Sequence, residues 1–284
     1  MMMMQYPLVL SDIDGTLVNN EGTIPDKVVS AIQEYSQAGG HFVLASARPP
    51  LAMLDLAQSL GLAVPMVALN GSLIVEYVPE AGGYTWQIVS EQPLYARVPI
   101  QLWQMIVEHQ LPVSMNVYSG LAWLANQHDQ WNAQEAAITG TNPIIVPLAQ
   151  RLAAGLTTHK ILCMADPAVI DQLSALLAQR PDWHLNASRS KPTYLEISDA
   201  SVSKQSALHT LARHFDIPVT QTMAIGDGEN DLPMLTAAGL SIAMGNSFTS
   251  VKEKATHIVA TNDQGGVAEA LQDYAMTEEA VTMS

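Results

Sequence analysis

The chain has 284 residues, 48% of them hydrophobic, enough to bury a full core without help from disulfides or structural metals. Twelve basic residues against 27 acidic ones leave a net charge of −15, which argues against nucleic acid or an anionic membrane surface as a partner. The single cysteine, Cys163, has no mate for an internal disulfide and reads as a buried apolar thiol compatible with a reducing compartment.

The opening residues MMMMQYPLVLS carry no basic segment, and their apolar stretch stops at Ser11. Neither a signal peptide nor a membrane helix is expected, so the cytoplasm is the default location. The methionine run itself reads as start-site redundancy or a frayed end. The run PLVLS from Pro7 is expected as a strand, followed by a loop and a helix over about residues 25–38, with Pro25 at its start and Gly39-Gly40 beyond its end. Next come a strand HFVLAS from His41, a helix near residues 51–60, a strand PMVALN from Pro65 and a hairpin turning at Ala81-Gly82-Gly83.

Residues 86–191 have a different texture. A helix near 98–109, strand-like runs near Val113 and Ala122, and the unit THKILCMADP with a following helix to about Arg180 are expected there. Trp103, Trp123, Trp131 and Trp183 all fall inside this zone and Trp86 at its edge, which implies a separately packed unit. From Tyr194 the first pattern returns: strand TYLEIS, a helix over 203–214, strand TMAIGD, a helix near 232–238, strands SIAMG and HIVA, and a last helix from Gly266. The final AMTEEAVTMS lacks periodic apolar positions and reads as a loose tail. Strands alternating with amphipathic helices imply an α/β fold, a Rossmann-like doubly wound parallel sheet. Residues 1–85 and 192–284 are expected to form its core, with 86–191 as an inserted α/β domain.

The polar residues fall at telling places. Asp12 and Asp14 follow PLVLS, Ser46 ends HFVLA, and Asp227 ends TMAIG, so all lie at carboxyl ends of expected strands, where open parallel sheets bind ligands. Asp12-Ile13-Asp14-Gly15-Thr16 sets two carboxylates two residues apart in a loop freed by Gly15. Taken alone, that pair fits an Asx-type turn or a site for a hard cation such as magnesium; the features of a calcium loop are missing. Gly226-Asp227-Gly228-Glu229-Asn230-Asp231 packs three carboxylates and an amide into a turn that opens a helix, more than one N-cap requires. Asp231 occupies the third glycine position of a dinucleotide fingerprint and would repel a pyrophosphate. No Gly-Lys pair of a P-loop and no Gly-x-Ser-x-Gly elbow is present. Lys204 opens a helix, where a cation opposes the helix dipole; entry into an acidic crevice would give it a task. His109, His128 and His159 lack zinc-ligand spacing.

These four elements, in this order, resemble the four motifs of the haloacid dehalogenase superfamily, in its Cof-type branch of phosphatases with an α/β cap inserted between the second and third motifs. Asp12-Ile13-Asp14-Gly15-Thr16-Leu17 and Gly226 to Asp231 match the first and fourth motifs, with supporting matches at Asn70-Gly71, Met244-Gly245-Asn246, Thr261-Asn262-Asp263 and Gly266-Val267-Ala268. Two departures are Ala47 in Ser46-Ala47-Arg48 and Gln205 after Lys204, where the family commonly has glycine. The resemblance implies a magnesium-dependent phosphatase acting on small phosphorylated metabolites, with residues 86–191 as the cap. It implies Asp12 as nucleophile, Asp14 as general acid and base, and magnesium held by Asp12, the Asp14 carbonyl and Asp227, with Asp231 orienting the metal shell. Ser46, the amides of Ile13 and Ala47, Lys204 and Asn230 would bind the transferring group. A phosphotransferase or phosphomutase using the same intermediate, and a non-catalytic metabolite binder, are the alternatives. Arg189 and Lys191 are expected on the surface, or against a second anionic group of the substrate.

Overall fold

The computed structural model describes residues 2–278, which divide into two compact units. The first takes in residues up to Ala47, Leu54–Ser90 and those from Ser203 onward; the second takes in Arg48–Met53 and Glu91–Val202. In chain order the elements are β1 (Met2–Met4), β2 (Leu8–Asp12), α1 (Asp26–Gln37), β3 (His41–Ala45), α2 (Leu54–Leu60), β4 (Val64–Ala68), β5 (Leu73–Glu80) and β6 (Gly83–Glu91). There follow α3 (Arg97–Glu108), β7 (Ser114–Ser119), β8 (Ala122–Ala125), α4 (Gln130–Thr139), β9 (Ile144–Ile145), α5 (Leu148–Ala153), β10 (Lys160–Met164), α6 (Pro167–Leu177), β11 (Leu185–Lys191) and β12 (Tyr194–Asp199). The chain then returns through α7 (Lys204–His214), β13 (Thr222–Gly226), α8 (Leu232–Ala237), β14 (Leu240–Ala243), α9 (Thr249–Lys252), β15 (His257–Ile258), α10 (Gly266–Ala270) and β16 (Met276–Glu278).

The first unit is built on an eight-stranded sheet of order β15-β14-β13-β2-β3-β4-β5-β6. Its members from β15 to β4 run parallel, and β5 adds antiparallel to β4. Every residue of β2, β4, β13 and β14 is buried, the continuous apolar run of strands covered on both faces. Helix α1 buries Val28, Ala31, Ile32 and Tyr35, one stripe at helical spacing. From β2 the chain builds outward through β3 and β4, then returns to the other side of β2 as β13. The strand order therefore reverses between β2 and β13, and the carboxyl ends there open a crevice.

The second unit carries a six-stranded sheet of order β11-β12-β10-β7-β8-β9, antiparallel except for β8 with β9. One face of it packs Val117, Ile161, Cys163, Leu195 and Ile197 with Leu102, Ile170, Leu173 and Trp183 into a core separate from that of the first unit. Cys163 is fully buried there, and desolvation pushes its thiol up to about 12.

Several expectations need correcting. The run TYLEIS, read as a return to the core pattern, lies in the second sheet between β11 and β10, because Leu195 and Ile197 alternate onto that unit's apolar core. The methionine run is not frayed: Met2–Met4 pairs antiparallel with Met276–Glu278, the start of the tail read as loose, whose residues 279–284 lie outside the described residues. Helix α4 was invisible in the hydrophobic pattern because it buries only Asn132; the Asp129 and Asn132 side chains cap its start reciprocally. Edge strand β11 is exposed along nearly its whole length, so no alternation announces it. Among the described residues no helix is long and apolar enough to cross a membrane.

Candidate active site

Asp12 is the last residue of β2, and parallel register sets it beside Ala45, with Ser46 just past the end of β3. On the other side Ile225 pairs with Ser11, so Gly226 and Asp227 emerge from β13 next to Asp12. Two neighbouring strand ends thus deliver both acidic motifs to the crevice. Lys204, on the first turn of α7, is drawn in behind them. Its helix begins at Ser203, whose side chain accepts from the Ser206 amide at 3.0 Å while Ser206 Oγ accepts from the Ser203 amide.

The buried ammonium of Lys204 donates to Asp12 Oδ1 and, at 2.6 Å, to Asp231 Oδ1. The second oxygen of Asp231 accepts from the backbone amides of Asp227 and Gly228, both at 3.1 Å, so this carboxylate is fully engaged. Thr16 Oγ1 donates to Asp227 Oδ1 at 2.8 Å. One ligand oxygen from each of Asp12, Asp227 and Asp231 lies within 4.8 Å of the others. Oδ2 of Asp12 and Oδ2 of Asp227 have no hydrogen-bond partner among the described residues.

Three carboxylates face one ammonium. Burial, reinforced by Asp231 and Asp227, pushes the Asp12 carboxyl up to about 7 against the opposing pull of Lys204. Asp227 is likewise raised by burial, with Thr16 opposing and Asp231 adding. Burial would lower Lys204, but Asp12 and Asp231 outweigh it and hold its ammonium above the usual lysine value. An all-oxygen cluster short of positive charge, with two free carboxylate oxygens, fits a hard divalent cation such as magnesium. Asp12 and Asp227 have the oxygens to hold it, and Asp231 has the contacts to orient Lys204 and the Asp227 turn.

The loop after Asp12 is held by residues without an assigned role in the sequence reading. Asn246 Nδ2 donates to the Gly15 carbonyl at 2.7 Å, Asn262 Nδ2 donates to the Val18 carbonyl at 2.9 Å, and the Asn262 amide donates to Asn246 Oδ1 at 2.9 Å. Their signal was the Met244-Gly245-Asn246 and Thr261-Asn262-Asp263 matches. Gly15 has φ +80°, and a Cβ there would sit 2.5 Å from Asp227 Oδ2. Gly15→Ala should therefore both strain the backbone and push Asp227 aside, lowering turnover by roughly 100-fold and the melting temperature by about 2–4 °C. Steady-state kinetics beside a thermal melt check this; kinetics like those of the unmodified protein would show that the close approach is not needed.

Asp14, Ser46 and Asn230 lie in the loops that follow β2, β3 and β13. Asp14 is exposed in the turn and is not one of the three clustered carboxylates. Ile13 and Ser46 are buried, while Asn230 is exposed in the turn after β13. Ala47 is absent from the residues with positive φ, so that loop has no conformational need of glycine, and Gln205 is an exposed helical position. Arg189 pairs with Asp171 at 2.8 Å, and the Lys191 ammonium stands 4.3 Å from the centre of the Tyr194 ring.

Comparison with known proteins places the whole arrangement. The profile of haloacid dehalogenase-like hydrolases matches residues 9–271. A Haemophilus influenzae protein whose name assigns it provisionally to the phosphatases is 31% identical over 271 residues, covering 95% of this chain and 98% of that one. The Bacillus subtilis 5-amino-6-(5-phospho-D-ribitylamino)uracil phosphatase YitU is 26% identical over 281 residues, covering 94% and 97%. A Thermotoga maritima crystal structure superposes with a TM-score of 0.84 at 27% identity, covering 96% of this chain and 98% of that one. A crevice lined by these acidic strand ends, on a fold shared from end to end with such proteins, makes this chain a member of the haloacid dehalogenase-like hydrolase family.

Proposed function

We propose that the protein is a magnesium-dependent phosphatase that hydrolyses small phosphomonoesters, sugar phosphates or phosphorylated cofactors, through an aspartyl phosphate on Asp12, in the cytoplasm. The observation that carries this reading is the buried Asp12 carboxylate, with one oxygen fixed by Lys204 and the other free beside Asp227. The phosphorylated ribitylaminouracil on which YitU is named to act belongs to the same substrate class.

In the first half-reaction Asp12 attacks phosphorus and the bond from phosphorus to the ester oxygen breaks. Asp14, exposed at the mouth of the loop, gives its proton to the departing oxygen. In the second half Asp14, now a carboxylate, takes a proton from water as that water attacks phosphorus, and the bond to Asp12 breaks to release phosphate. Lys204 fixes the direction of Asp12 and offers its charge to the transferring oxygens, with Ser46, the amides of Ile13 and Ala47, and Asn230 as further donors. A magnesium ion held by Asp12, the Asp14 carbonyl and Asp227, in a shell oriented by Asp231, would draw charge from the phosphoryl oxygens. The second unit, chiefly Glu91–Val202, would act as the cap and discriminate leaving groups, since the core residues address only phosphate and metal.

Activity on an aryl phosphate should disappear after chelation and return with added magnesium. Full activity in the metal-free sample would sink the proposal.

A further inference from the structure

The second unit contains a cavity of about 510 Å³ between the end of α6 and the edge strand β11. Leu177 and Ala178 wall it on the helix side and Leu185 and Ala187 on the strand side, with Arg180 and His184 as its cationic and imidazole heads. Apolar walls with a few fixed polar groups, at this volume, are the usual make-up of a small-molecule site.

The polar heads are unusually well held. Arg180 lays its guanidinium over the ring of the buried Trp183, 4.1 Å from the ring centre. Its Nε and Nη2 donate to the two oxygens of Asp182, both at 3.1 Å, which fixes the plane of the fork. That clamp leaves Nη1 without a partner among the described residues. His184 sits at φ +50°, a conformation that side chains with a Cβ rarely adopt, and its carbonyl accepts from the Ala200 amide at 2.8 Å. Its imidazole also borders a second hollow shared with Tyr95 and Arg97, so the basic groups Arg97, Arg180 and His184 gather here in a chain of net charge −15. The last carbonyls of α6 do not invite a cation, because those of Ser174, Leu176 and Leu177 already accept from the amides of Ala178, Gln179 and Arg180.

We propose that this cavity, lined by residues of the second unit alone, is a binding site for a small molecule that joins a planar apolar body to one anionic group. The apolar body lies between the end of α6 and β11, and the anion meets Arg180 Nη1 and the His184 ring.

Isothermal titration of the full chain with 2-naphthoate, against the neutral 2-naphthamide as control, tests this. The carboxylate should bind at one site and at least about tenfold tighter than the amide. Arg180→Met keeps an apolar stem over Trp183 but removes the fork, and should bring naphthoate down to the affinity of the amide. Ala187→Tyr fills the cavity from an exposed strand and should abolish binding of both. Equal affinity for the two probes, no saturable binding of naphthoate at about millimolar concentration, or naphthoate binding unchanged in both variants would overturn the proposal.

Discussion

Asp12→Asn is expected to abolish the phosphoenzyme and to lower turnover by on the order of 10⁴-fold or more. An amide oxygen is too poor a nucleophile to accept the phosphoryl group at a useful rate. Asp231 cannot take over, because both of its oxygens are engaged. Asp14→Asn should fail differently. With an aryl phosphate the leaving group departs without much help from an acid, so the intermediate should form and then persist for want of a base to activate water. Mass spectrometry of rapidly quenched samples separates the two variants. A phosphoryl group on any residue other than Asp12, or normal turnover from Asp12→Asn, would overturn the mechanism.

Lys204→Met should be the most destabilising single change in the site, by about 3–5 kcal/mol in metal-free protein at mildly alkaline pH. The ammonium is buried between Asp12 and Asp231, and its loss leaves both carboxylates without their counter-charge. The sign of the pH dependence follows from Asp12. Burial already raises this carboxyl from its ordinary range to about 7, and Lys204 is the main influence holding it down. A carboxyl raised in the folded state contributes stability below its unfolded pKa and loses it as pH rises through the folded value. Removing Lys204 moves that loss upward, so the variant keeps Asp12 protonated at about pH 6 and bears a cost that grows as pH rises through about 7 to about 8. Millimolar magnesium should recover part of the loss, since a cation bound to the folded state alone stabilises it by mass action. Urea midpoints at the two pH values, with and without magnesium, measure all three effects. A midpoint equal to that of the unmodified protein at the higher pH would show that the ammonium does not hold the cluster together.

The candidate site was legible in the sequence because its acidic groups sit in short loops at strand ends. Asp12-Ile13-Asp14-Gly15-Thr16 and Gly226 to Asp231 each carry their residue types and their turn glycines within six positions, and apolar runs such as PLVLS announce the buried strands that present them. The parallel sheet was legible for the same reason, since strands buried on both faces read as continuous apolar runs. The tertiary structure alone decided which groups become partners. No local pattern couples Lys204 to Asp12, 192 residues away, or Asn246 to the Gly15 carbonyl, and only the sheet order that sets β13 beside β2 brings them together. It also decided where ambiguous segments belong. TYLEIS would suit either sheet by its alternation, and it joins the second because Leu195 and Ile197 find their apolar partners there. Helix α4 and strand β11 were hidden because they are held by a reciprocal cap and by one paired edge, and neither leaves the apolar stripe from which helices and strands are read.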